Sequence, residues 1–159
     1  MPLEQPDLQF FETASGYLEL GMVLEANEEL EKIDPVNRAA PEVLALRVEI
    51  YCKLGKWELM AEIAERLNEF DPDEIQWVLS YAFATRRAVS IQTAREILLR
   101  SVAKFPKAAV IYFNLACYQC QLNQLKSAKD YLRLAFEIDP TWRLQAWDDE
   151  DLKPLWDSL

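Results

Sequence analysis

Two groupings in this chain hold residue types that do chemistry. Cys117-Tyr118-Gln119-Cys120 is a C-x-x-C, the spacing of a dithiol redox pair or of half a zinc site. Asp148-Asp149-Glu150-Asp151 is a run of carboxylates that could be offered to a divalent cation. A redox pair needs its first cysteine at an exposed helix N-terminus, where the helix dipole lowers the thiol pKa. Here the surrounding pattern puts the pair inside a helix, as small half-buried packing residues. Zinc needs about four ligands, and the chain offers three cysteines and no histidine. The acidic run has neither the alternating spacing nor the glycine of a calcium loop; it reads as a solvated turn opening a helix, where carboxylates are favoured. No metal and no cofactor are expected.

The lack of histidine also removes the usual general base and proton shuttle. Isolated Ser and Thr hydroxyls then have nothing to activate them. With three glycines in all, the chain holds neither a phosphate-binding glycine loop nor a dinucleotide fingerprint. Paired carboxylates remain available, but nothing selects one pair among 27 acidic residues. The expectation is a protein that is not an enzyme. An enzyme subunit using carboxylates or the Cys117/Cys120 pair stands as an alternative.

The 159 residues carry a net charge of −10, which repels phosphate backbones and argues against nucleic acid. The charge is uneven: residues 1–34 hold nine acids and one base, whereas 75–108 hold six bases against Glu96. The N-terminus has no basic region followed by an apolar run, so it does not read as a signal peptide. No stretch approaches the ~18 apolar residues that span a bilayer, so no membrane is expected. An odd number of cysteines does not suggest a disulfide framework. A cytoplasmic protein is the economical reading.

The elements that must position these groups announce themselves by a period. Pro72, Pro106 and Pro140 stand 34 residues apart. Shifting the chain by 34 aligns Ala14, Val48, Ala82 and Ala116, and likewise Ala26, Met60, Ala94 and Ala128. Leu30, Ala64, Leu98 and Leu132 form a third column, and Val23, Trp57, Ile91 and Leu125 a fourth. Gly21, Gly55, Val89 and Asn123 share a turn column. Each repeat reads as two amphipathic helices: Pro41 suits a first helical position, Gly55 closes the first helix, and Asp71-Pro72 ends the second. Such a hairpin cannot bury its own apolar face, so neighbours must stack into a right-handed solenoid.

A 34-residue helix–turn–helix of this pattern resembles the tetratricopeptide repeat, most closely over 109–142 through Tyr112, Leu115, Ala116, Ala128, Leu132, Ala135 and Asp139-Pro140. Residues 41–74 match through Leu44, Tyr51, Gly55, Trp57 and Asp71-Pro72; residues 75–108 are degenerate, with Val89 at the turn and Thr85 in the tyrosine column. The first repeat reaches Asp34-Pro35 early, which predicts a second helix shortened by about one turn and a longer loop. The expectation is an all-α superhelix, a single domain over 1–159 with repeats at about 7–40, 41–74, 75–108 and 109–142. A capping segment, 143–159, follows. The ending D-x-D-L-x-P-L-W looks like the end-of-group terminal unit of bacterial tetratricopeptide proteins, and 41–58 is similar to members of that group. In the tail, Trp142, Leu144, Trp147, Leu152, Leu155 and Trp156 are expected to cover the last helix.

The resemblance implies that the first helix of each repeat lines a concave groove that takes partners. The groove columns then include Leu79, Phe83, Arg86, Arg87, Val110 and Phe113, of which 79, 83, 86 and 87 share one helical face. Apolar anchors beside two guanidinium groups suit a protein segment with an acidic group. Two alternatives remain open: the tail folds back into the groove, or Arg86 and Arg87 pair with Glu49 or other acids of the second repeat. The carboxylate clamp of chaperone-binding tetratricopeptide domains is absent, since Phe11, Ser15, Leu46, Gln76 and Ser80 fill its columns. The functional expectation is a non-catalytic scaffold or adaptor for another protein. A small acidic secretion-type chaperone is an alternative, and Leu8, Phe10 and Phe11 make a homodimer plausible.

Overall fold

Hairpin turns form where the sequence supplies a residue that tolerates positive φ. The computed structural model describes residues 2–159 and, among them, contains helices and no strand. In chain order the helices are α1 Asp7–Glu19, α2 Val23–Leu30, α3 Pro41–Leu54, α4 Trp57–Phe70, α5 Ile75–Ala88, α6 Ile91–Ser101, α7 Ala109–Gln121, α8 Leu125–Ile138 and α9 Trp142–Asp148. A 3-10 helix, Glu150–Ser158, completes the tail. Gly21 (φ 76°) turns α1 into α2, Gly55 (φ 68°) turns α3 into α4, and Asn123 (φ 59°) turns α7 into α8. Asn can occupy this left-handed region because its short polar side chain bonds locally. The fourth member of that column, Val89, does not adopt positive φ. There Ser90 starts α6 instead, its hydroxyl accepting the Thr93 N–H at 3.1 Å.

The repeating columns are the contacts between helices. Ala14, Val48, Ala82 and Ala116 are all buried, as are Ala26, Met60, Ala94 and Ala128, and Leu30, Ala64, Leu98 and Leu132. Small side chains there let backbones approach, and the larger ones fill what remains. The column of Val23, Trp57, Ile91 and Leu125 is half-buried throughout, at the mouth of each second helix.

The chain divides into two compact units, Met1–Ala84 and Thr85–Leu159. In the N-terminal unit α1 packs on α2 and α3, α2 on α3, and α3 on α4. One core gathers Ala14, Leu18, Ala26, Leu30, Ile33, Val43 and Ile50; another gathers Val48, Met60, Ala64, Leu67 and Ala84. The second helix of the first repeat is shorter than the one-turn loss expected: α2 has 8 residues against 14 in α4. Its last carbonyls are taken by the backbone N–H groups of residues 31–33, and the loop beyond it is held by side chains. Arg38 donates Nε to the Ile33 carbonyl at 2.8 Å and Nη2 to the Glu31 carbonyl at 2.5 Å. Buried Asp7 accepts from the Asp34 N–H at 3.1 Å and from Asn37 Nδ2 at 2.7 Å, tying the loop to the start of α1. Buried Arg47 joins α3 to α2 through Glu31 at 2.6 Å and Asn27 at 3.2 Å.

In the C-terminal unit α7 is the centre, packed by α6, α8 and the 3-10 helix, while α9 bridges α8 and the 3-10 helix. Its side chains at 109, 111–113, 115–118 and 120 are buried, with Val110, Asn114 and Gln119 half-buried and Gln121 exposed. Leu152 and Leu155 of the 3-10 helix are fully buried, and the Trp156 indole donates to the Ala146 carbonyl at 2.9 Å. Leu144 and Trp147 face outward instead, 77% and 48% exposed, so they are not part of the cover. No helix among the described residues is long and apolar enough to cross a membrane.

The turn chemistry is testable by thermal denaturation. Gly55→Ala should cost about 1 kcal/mol, although an added Cβ would meet nothing nearer than Trp57 at 4.0 Å. Asn123→Ala should cost about 1 kcal/mol and Asn123→Gly almost nothing. Equal melting points for the two Asn123 variants would show that φ does not select the residue there.

Candidate functional site

Arg86 sits in the last turn of α5, where a cation also answers the helix dipole. The residue it reaches lies 65 positions away in the tail. Arg86 Nη1 donates to Asp151 Oδ2 at 2.5 Å and Nη2 to Oδ1 at 2.8 Å, a two-pronged pairing of the strong, directional kind. Its guanidinium lies 5.4 Å from the Tyr118 ring centroid. Gln121 Nε2 donates to the Asp151 carbonyl at 2.9 Å, so α7 also holds the tail by its backbone. Asp149 caps the 3-10 helix by accepting the Asp151 N–H at 3.0 Å, and its other oxygen faces the Cys117 thiol at 3.7 Å.

The C-x-x-C and the acidic run therefore meet in space. Cys117 Sγ and carboxylate oxygens of Asp149 and Asp151 lie within 4.8 Å of one another, the spacing of a three-ligand metal site. The donors around them have a different character. Asp151 is already engaged by both prongs of Arg86, and Cys117 acts toward Asp149 as a protonated donor. Burial pushes the Cys117 thiol far up from its ordinary pKa, with the Asp149 and Asp151 charges adding to it. Burial likewise raises Cys120, and raises Tyr118 to about 12 against the pull of Arg86 and Arg87. The hydrogen bond to Asp151 raises Arg86. A reactive dithiol needs the reverse, an electropositive and accessible thiolate. What this cluster does is join the tail to α5 and α7.

The residues read as a groove from the sequence have diverse surroundings. Phe113 is buried and packs against Trp142 of α9, the rings tilted by 36° with centroids 4.8 Å apart. Arg86 is paired with Asp151. Leu79 and Val110 are half-buried, and Arg87 is exposed on α5. Phe83 is 38% exposed and meets the Trp57 ring edge-on at 5.8 Å. Sequence reasoning missed Asp149 and Asp151 as members of a site, treating them as a solvated turn. The available signal was their place beside Leu152 and Leu155: a carboxylate one residue from a leucine that must be buried is carried to the protein surface with it.

With this arrangement in view, comparison with solved structures finds MamA, a tetratricopeptide-like all-helical protein. MamA 41-end from Desulfovibrio magneticus RS-1 is 17% identical with TM-score 0.73, covering 87% of this chain and 78% of that one. A double mutant of MamA RS-1 gives 18% identity and TM-score 0.74 with the same coverage. MamA MSR-1 is 18% identical with TM-score 0.66 and covers 97% of this chain and 94% of that chain. The fold is of the tetratricopeptide type. No family model matches the chain, and no curated protein matches it.

The thiol environment predicts reactivity. At pH 8 a thiol reagent should modify half-buried Cys52 in the native protein and leave Cys117 and Cys120 until the chain unfolds. Because folding raises the Cys117 pKa, the unfolded chain loses that proton first. Stability should therefore fall as pH rises past the free-thiol value of about 8.5, and Cys117→Ser should flatten that slope. Rapid native labelling of Cys117 at pH 8 would contradict the geometry.

Proposed function

We propose that this protein is a non-catalytic, cytoplasmic scaffold that holds a segment of another protein against the first helices of its repeats. Its tetratricopeptide-type fold and its likeness to MamA support a protein-binding role. The free cysteines suit a reducing compartment. The raised Cys117 thiol speaks against the dithiol enzyme.

The observation that carries the reading is Phe83. A large aromatic 38% exposed on a first helix, edge-on to half-buried Trp57, is the kind of anchor that dominates protein interfaces. Leu79, Phe83 and Arg87 recur every fourth residue along α5, so they share one face. An apolar side chain of the partner would sit on Phe83 and Leu79, and a neighbouring carboxylate would meet Arg87 one turn on.

Immobilised wild type, Phe83→Ala and Arg87→Glu should be compared for proteins retained from the native host. Phe83→Ala should lower recovery of the specific partner at least about tenfold, with the helical circular-dichroism signal unchanged. Arg87→Glu should make recovery less dependent on salt. Equal recovery on all three would remove the α5 face as the binding surface. Recovery of further copies of this chain would identify self-association.

A further inference from the structure

We propose that Asp149–Trp156 occupies, within its own chain, a recognition surface on the C-terminal unit, and that this surface accepts the same chemistry from another molecule. The ligand would be a peptide segment carrying a carboxylate followed at the first and fourth positions by leucine-sized side chains. The surface involves different residues from Phe83 and Leu79, and it stands or fails independently of them.

The segment is held as linear peptides are held. Its carboxylate takes both prongs of Arg86. Its backbone carbonyl at Asp151 is read by Gln121 Nε2 at 2.9 Å, a contact indifferent to side-chain identity. Its two leucines, Leu152 and Leu155, are fully buried and supply the apolar anchors. The helix breaks before the segment, where Asp149 is extended (φ −87°, ψ 112°), and among the described residues the Trp156 indole alone ties it back to α9 by a side-chain hydrogen bond, at the Ala146 carbonyl. The ion pair lies at the rim, with the Arg86 and Asp151 side chains 23% and 26% exposed, so a competing carboxylate can reach the guanidinium from water. A tail that only covered α7 would need the leucines. The bidentate arginine specifies in addition which segment binds, and the backbone-reading glutamine holds it in register.

The test uses the full chain and a labelled synthetic peptide with the sequence of residues 148–159. Asp151→Ala removes the internal competitor at the rim, and this variant should bind the peptide at least tenfold more tightly than wild type does. The same peptide made with alanine at the position of Asp151, or of Leu152, should bind that variant at least tenfold more weakly. A second arm reverses the charge: full-length Arg86→Glu should prefer the peptide made with arginine at the position of Asp151 over the natural one. Circular dichroism and a melt establish that each variant is folded. No binding to either folded variant, equal binding to wild type and Asp151→Ala, or indifference to the alanine and arginine replacements would each overturn the proposal. They would leave the tail as a fixed cover.

Discussion

An amphipathic helix hairpin buries the seam between its own helices and leaves the outer side of its first helix to be covered by something else. In the C-terminal unit that demand is acute, because nine of the 13 residues of α7 are buried. Helices α6 and α8 cover part of it, and the tail takes the remainder. Burying Leu152 and Leu155 favours the ordered tail, while the backbone entropy lost by its 9 residues opposes it. Further support comes from the α7 surface that the tail takes out of water, from Phe113 packed on Trp142, and from polar contacts that hold the register.

Those polar contacts explain how two acids of so acidic a chain can be held together at this point. Asp149 and Asp151 lie close to each other and to the Cys117 thiol, an arrangement that repels itself unless a cation and hydrogen-bond donors are present. Arg86 supplies the cation in the geometry that matches a carboxylate. The Asp151 N–H and the thiol supply donors to Asp149. The same arrangement keeps the thiol protonated. Electrostatics that fasten the tail and electrostatics that would activate a cysteine are opposed, and the cluster is built for the first.

Much of this was legible in the sequence because it is local or periodic. The 34-residue columns mark the buried contacts, since a helix pair repeated at fixed length returns the same position to the same seam. Gly21, Gly55 and Asn123 mark turns because few residues tolerate their φ. The Arg86–Asp151 pair was not legible: it joins positions 65 apart outside the repeat, and no period relates a tail to a groove column. The tail's apolar residues were overcounted for a related reason. Composition identifies Leu144 and Trp147 as apolar, but α9 has 7 residues and turns only one side inward, toward Ala146. In the first repeat, Asp34-Pro35 signalled a shorter helix. It did not signal that Arg38 and Asp7 hold the loop beyond Leu30, Arg38 by donating to the Glu31 and Ile33 carbonyls and Asp7 by accepting from the Asp34 N–H and Asn37.

The likeness to MamA at 17–18% identity follows from the same division between seam and surface. Seam positions tolerate Ala, Val, Leu or Met as long as the volumes across a column suit one another, so a fold can persist while most residues change. Surface positions carry no such constraint from packing, and binding specificity is written there. Phe83 and the Arg86–Asp151 rim belong to this second class. Neither is required to make a helix hairpin, and both commit polar or aromatic side chains where a packing-only sequence could carry alanine or lysine. The proposed recognition draws on these positions, whereas the seams account for why the helices are there to present them.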